Sequence, residues 1–202
     1  MTTENMTKYH EYLAQLSAVL DNLPLEDAVR GVDMLYQAYQ NHRTVFLFGN
    51  GGSAALASHL AADLGKGVTV PGPDWKTNPR RLRVMSLTDN TPVLTAWSND
   101  ASYERVFAAQ MENFIQPGDV AFAISGSGNS ANVLRGLELA RQVGASTLGL
   151  AGFGGGKMKA LLDCAIVVQS HQMQRVEDAH VVLAHLMFLD LMERLETSTA
   201  AK

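Results

Sequence analysis

The sequence predicts an α/β protein built on a doubly wound five-stranded parallel sheet with N-terminal helices. Three observations predict it. Five short runs dominated by apolar residues, at 45–48, 82–87, 120–124, 146–150 and 164–168, are bounded by turn residues as buried strands are. Stretches of helical periodicity separate them, and parallel strands require such crossovers, which are right-handed. Two of the runs also end in Gly/Ser turns that open onto helices, and ligands of open α/β sheets gather beyond the carboxyl ends of the strands.

Ahead of the first strand, residues 4–22 and 25–41 place apolar groups at helical spacing, among them Leu13, Leu16 and Leu20, then Val32, Leu35 and Tyr39. Pro24 separates the two helices. Residues 1–43 are expected to form a helical extension that packs on the core, over one sheet face, or makes subunit contacts in a helix bundle, with 44–202 as one domain. The first strand runs into Gly49-Asn50-Gly51-Gly52-Ser53, where glycines let the backbone turn sharply and approach a ligand. Ser53 is expected at the N-cap of the next helix, where free amides and the dipole favour an anion such as phosphate. On that helix His59 and Asp63 lie four apart and share a face.

Residues 67–81 hold Pro71, Gly72, Pro73 and Pro79, a composition that predicts a long irregular loop. After the second strand, Asp89 and Asn90 are turn and cap residues for a helix through Leu94 and Trp97, and a further helix is expected over 103–114. The third strand ends in Ser125-Gly126-Ser127-Gly128-Asn129-Ser130, then a helix bearing Val133, Leu137 and Ala140. Three hydroxyls and several free amides within six residues make a concentrated donor set for phosphate oxygens. If strands one and three are neighbours at the switch point, both turns face one crevice. The last helix is expected over 175–195, with Glu177 and His185 eight apart and roughly aligned.

Lys and Arg number 16 against 20 Asp and Glu, a net charge of −4, with no basic run. That balance argues against general nucleic-acid binding and against a membrane surface. Cys164 stands alone, so no intramolecular disulfide forms, and its apolar neighbours predict a buried thiol. With no stretch long enough to span a membrane and no secretory leader, a cytoplasmic location is expected.

Together GNGGS at 49–53, HLAAD at 59–63, ISGSGNSANV at 124–133, GGGKM at 154–158 and RVEDAHVVLAH at 175–185 resemble the sugar isomerase (SIS) domain family, and within it most closely the phosphoheptose isomerases. The resemblance covers nearly the whole chain. It implies a flavodoxin-like three-layer sandwich and interconversion of sedoheptulose 7-phosphate and D-glycero-D-manno-heptose 7-phosphate. By position it assigns Asn50, Gly51, Gly52 and Ser53 to one substrate loop and Ser125, Gly126, Ser127 and Ser130 to the phosphate turn. Asp89 or Asn90 corresponds to a substrate-contacting aspartate. His59, Asp63, Glu177 and His185 fall at the metal-ligand positions, with Asp63 and Glu177 also touching substrate and Asp63 and His185 transferring protons.

The family is homotetrameric, with sites at subunit contacts, and carries one divalent ion per site. Zn²⁺ suits two histidines and two carboxylates, with Mn²⁺ and Fe²⁺ as alternatives. Two ligand positions depart from the family: Asp63 replaces a glutamate and Glu177 a glutamine. Gly67 stands where an arginine is frequent. The alternatives are a non-catalytic SIS protein that binds DnaA, and an isomerase of another sugar phosphate. The metal-site reading requires the imidazoles of His59 and His185 to meet.

Overall fold

Seven helices and five strands follow one another in the computed structural model, which describes residues 3–68 and 81–200. Most of the loop expected over 67–81 lies outside the described residues. Helices α1 (Thr3–Leu20) and α2 (Leu25–Gln40) precede β1 (Thr44–Gly49) and α3 (Gly52–Gly67). Then come β2 (Arg83–Ser86), α4 (Thr91–Asp100), α5 (Val106–Met111), β3 (Val120–Ser125) and α6 (Ala131–Val143). β4 (Ser146–Ala151), β5 (Cys164–Val167) and α7 (Met173–Ala200) complete the chain. All strand pairs are parallel, in the order β2-β1-β3-β4-β5. The order reverses between β1 and β3, which pair from Val45↔Val120 to Gly49↔Ile124.

Alternation along the strands builds a core on each face of the sheet. Val45 and Leu47 of β1, with Val120, Phe122 and Ile124 of β3, pack against α2, α3 and α7. Phe46 and Phe48, with Ala121 and Ala123, face α5 and α6. Because both faces are covered, the strands carry continuous apolar runs and every residue of β3 is buried. α2 belongs to this layer: Ala28, Val32, Leu35 and Tyr39 are buried in the first core. The Cys164 thiol is buried and donates to the Asp27 carbonyl at 3.3 Å, and its burial pushes its pKa up.

Three boundaries differ from expectation. The helix expected over 103–114 is a 3-10 turn (Tyr103–Arg105) that leads into α5 and stops at Met111, where the Phe114 and Ile115 amides both turn back to the Met111 carbonyl. α7 starts at Met173 because the Ser170 hydroxyl accepts the Gln172 amide at 3.3 Å and organises the entry. α3 is capped at Gly51, two residues before Ser53, since the positive φ of Gly51 (57°) makes the turn there. Ser53 sits buried in the first helical turn.

Candidate active site

The two turns meet at the carboxyl edge of β1 and β3. In the first, the Ser53 amide bonds the Asn50 carbonyl at 3.0 Å and the Ala54 amide the Gly51 carbonyl at 3.0 Å. The amides of Gly51 and Gly52 keep no acceptor among the described residues. In the second, the Ser125 hydroxyl accepts the Gly128 amide at 3.2 Å and stands 3.5 Å from the Ser130 hydroxyl. Ser130 is the N-cap residue of α6 but makes no side-chain cap bond, which leaves its hydroxyl for a guest.

A brace from the loop after β4 holds this serine turn. Asn129 receives the Lys157 amide at 3.0 Å and donates to the Ser127 carbonyl at 2.9 Å, while the Met158 amide bonds the Gly128 carbonyl at 2.9 Å. Gly128 has a φ of 65°, and a methyl there would overlap the Gly155 carbonyl. The GGGKM stretch thus gains a role that its composition does not reveal.

Together the turns line a cavity of about 250 Å³, formed by Asn50, Gly51, Gly52, Ser53, Ser125, Gly126, Ser127 and Ser130 with Met173 and Glu177 of α7. Its donors are hydroxyls, backbone amides and two helix N-termini, a set that binds an anion without a cationic side chain. The Glu177 carboxylate lies over the first turn, its Oε1 3.0 Å from where a Cβ on Gly52 would be.

α3 and α7 lie side by side in the same direction, so that Gly52 faces Glu177, His59 faces His185 and Gly67 faces Phe188. His59 Nε2 is 2.9 Å from His185 Nε2 and 3.3 Å from Asp63 Oδ2. Ligand atoms of all three lie within 4.8 Å of one another. A tetrahedral ion about 2.0–2.1 Å from each imidazole nitrogen would space the two nitrogens by about 3.3 Å, so a small opening of the pair admits one. Two half-open imidazoles and a carboxylate fit a divalent cation such as zinc.

The structure does not bring every expected residue to that cluster. Glu177 is eight residues before His185 and belongs to the anion cavity, not to the three-residue group. Asp89 receives the Ser58 hydroxyl, and Asn90 Oδ1 caps α4 by accepting the Val93 amide at 3.2 Å. Both line a separate cavity of about 560 Å³ with Met85, Gln110 and Phe114, which shares no lining residue with the anion cavity.

Sequence reasoning gave no role to three further residues. Asn132 and Tyr103 both bond the Asn50 side chain. The signal for Asn132 was its place in the NSAN stretch; Tyr103 had none. His180 of α7 is 1% exposed, and neither ring nitrogen has a hydrogen-bond partner among the described residues. Burial lowers its pKa to about 4, with the nearby Ala151 carbonyl opposing weakly although it does not reach hydrogen-bond geometry.

Known proteins share this arrangement of turns and helices. A family model described as the SIS domain matches residues 9–152. The chain belongs to the SIS domain family. Phosphoheptose isomerase from Aquifex aeolicus is 36% identical over 185 residues, 91% of this chain and 93% of that protein. The phosphoheptose isomerase from a Nitratiruptor species is 43% identical over 152 residues, 75% of this chain and 77% of its own. The solved phosphoheptose isomerase from Neisseria gonorrhoeae superposes with a TM-score of 0.81 at 29% identity, covering 93% of this chain and 97% of that one. The chain is similar to these phosphoheptose isomerases and is itself an isomerase, which displaces the non-catalytic alternative. Among the described residues no helix is long and apolar enough to cross a membrane.

Proposed function

We propose that this SIS-domain isomerase converts sedoheptulose 7-phosphate to D-glycero-D-manno-heptose 7-phosphate. The observation that carries the reading is the His59–Asp63–His185 cluster, on the same two helices whose N-terminal ends border an anion cavity. Hydroxyls of Ser125, Ser127 and Ser130 and the amides of Gly51 and Gly52 hold the 7-phosphate. Glu177, at the edge of that cavity, accepts from a sugar hydroxyl. Asp89 or Asn90 contacts substrate, as the family pattern implies.

Aldose–ketose isomerisation removes a proton from C1 of the open-chain ketose, passes through an enediolate and returns a proton to C2, while the O1 proton passes to O2, so that O1 becomes the aldehyde oxygen and the C2 carbonyl a hydroxyl. Asp63 and His185 are the pair that carries the proton between the two carbons, each acting only while it is not coordinating an ion. Their contact through His59 keeps them on one side of the reacting unit. A divalent ion, Zn²⁺ or another such as Mn²⁺, held by His59, Asp63 and His185, would supply Lewis-acid polarisation of the carbonyl oxygen.

Apolar side chains stand exposed on α1 (Tyr9, Leu13) and on α7 (Leu186, Leu189). We propose that they are covered in a cytoplasmic homotetramer, with the 1–43 segment at subunit contacts and the sites completed there. Metal analysis together with an isomerase assay on a panel of ketose phosphates tests the function. Metal-loaded protein that turns over sedoheptulose 7-phosphate is expected; metal-loaded protein active only on another ketose phosphate would reassign the substrate, and one inert on all of them would overturn the reading.

A further inference from the structure

One side chain ties the two anion-binding turns together. Asn50 Oδ1 accepts from Asn132 Nδ2 at 2.8 Å and from the Tyr103 hydroxyl at 2.8 Å. Its Nδ2 donates to Asn132 Oδ1, also at 2.8 Å. Asn132 is 3% exposed, is the second residue of α6, and uses the same Oδ1 to accept the Val133 amide at 3.0 Å. Tyr103 comes from the 3-10 turn after α4. Asn50 therefore spends both polar ends within the protein, and the donors left to a ligand in this turn are the amides of Gly51 and Gly52 and the Ser53 hydroxyl.

We propose that Asn132 and Tyr103 are positioning residues which, through Asn50, set the span between the glycine turn and the serine turn. The bonding pattern is directional. The Val133 amide fixes Asn132 Oδ1 as an acceptor, so rotating the Asn50 amide by half a turn would set NH₂ against NH₂ and oxygen against oxygen. The two Asn132 bonds enforce one orientation, and the Tyr103 hydroxyl, which can donate or accept, adds a third bond to it. Among the described residues no cationic side chain lines the cavity they frame, so its grip on an anion comes from donors converging at one place. Convergent donors lose affinity steeply when one set is displaced, because the gain of preorganisation goes with the contact. Asn132 joins the first turn to the start of α6, and Tyr103 joins it to the end of α4. Two chain segments thus fix one loop.

This inference rests on the anion-cavity reading of the proposed function. It is tested with Tyr103→Phe, Asn132→Ala, Asn132→Asp and the double variant of Tyr103→Phe with Asn132→Asp. Tyr103→Phe is expected to raise KM for sedoheptulose 7-phosphate about 3- to 10-fold, as loss of one neutral hydrogen bond does, with kcat within about twofold. Asn132→Asp, which turns an acceptor toward Asn50 Oδ1, raises KM by about 10-fold or more. The double variant loses less than the product of the two, since both act through one side chain.

Inorganic phosphate gives a second readout that needs no turnover, through the rise it causes in the unfolding midpoint, and the same ranking is expected there. Wild-type protein that responds to phosphate but leaves the heptose phosphate untouched would reject the substrate assignment while the ranking still judges the clamp. A fall in unfolding midpoint with KM and phosphate affinity unmoved would reduce Asn132 and Tyr103 to structural residues and overturn the proposal. Should the Asn132 variants fail to fold, Tyr103→Phe decides it alone: the residue is exposed, and unchanged KM and phosphate affinity would overturn the clamp.

Discussion

The Nε2 atoms of His59 and His185 face each other at 2.9 Å, although 126 residues separate them in the chain. Two neutral imidazoles satisfy that contact with one donor and one acceptor; two imidazoliums would repel. The pair is therefore best completed by a bridging proton or by a cation between the rings. His185→Ala is expected to lower kcat by about 10²- to 10⁴-fold, the usual worth of a positioned acid or base. Zinc affinity, read by competition with a chromogenic chelator, falls with it. Phosphate binding stays, because the anion cavity draws on other residues. Unchanged turnover would remove His185 from the chemistry.

Asp63 holds His59 from one helical turn away, with Oδ2 3.3 Å from Nε2. Asp63→Asn keeps the size and removes both the charge and the basic oxygen, so kcat is expected to fall by at least about 10²-fold while the unfolding midpoint stays near wild type. Asp63→Glu restores the residue the family carries. Its extra methylene moves the carboxylate toward the imidazoles, and retention of metal with reduced turnover is the expected result. Titration with zinc beside steady-state kinetics separates these two effects.

The brace under the serine turn predicts a steric phenotype at Gly128. Alanine there must adopt a φ of 65° and collides with the Gly155 carbonyl. Such strain plus overlap costs about 2–4 kcal/mol. Urea unfolding of Gly128→Ala measures it directly, and phosphate affinity should fall in the same variant because the turn it distorts carries the donors. An unfolding free energy within about 0.5 kcal/mol of wild type would mean that the brace is loose.

How much of this was legible in the sequence follows from the range over which each feature is encoded. The sheet was legible because each strand announces itself within a few residues: 120–125 is apolar throughout, and the turn after it is dense in serine and glycine. The pairing of β1 with β3, which brings the turns together, depends on packing across the whole sheet and could only be framed as a condition. His59 and Asp63 share a helix face and were visible as a pair. His185 joined them through the resemblance, since a helix pattern does not say which neighbour it meets. Tyr103 and Asn132 were missed because their role lies in a contact between segments far apart in the chain. The Ser53 cap was displaced because a positive φ at Gly51 turns the chain earlier than the residue types suggest. Glu177 aligned with His185 by periodicity, yet two turns of helix separate the cavity from the histidine pair.

Gly67 stands where the family frequently has arginine, and the packing here explains what accommodates the change. A Cβ at Gly67 would lie 2.5 Å from Cζ of Phe188, so the aromatic ring of α7 fills the space a side chain would need. Gly67→Arg is expected to destabilise the fold by about 1–3 kcal/mol through overpacking at this helix contact. Combining it with Phe188→Ala should recover most of that loss. Thermal unfolding of the two single variants and the double variant checks the coupling; strict additivity would show that the two positions do not compete for one space.

His180 gives the fold a pH dependence of definite sign. Its pKa is lowered by burial from 6.5 to about 4 in the folded chain, while the unfolded chain keeps the ordinary value. Above pH 6.5 both states hold the neutral ring, and His180 leaves stability unaffected by pH. Below that the unfolded state takes up a proton that the folded state refuses, so stability falls as pH drops through this window and levels off once the folded ring also protonates near pH 4. The total loss is roughly 3 kcal/mol. His180→Leu cannot protonate, fills the apolar surroundings set by Ala179, Leu183 and Ala184, and should remove this component of the pH dependence. Urea unfolding at intervals between pH 7 and pH 4 for both proteins gives the comparison. Parallel curves would show that His180 finds a partner for its proton and that its burial is not what shapes the acid limb.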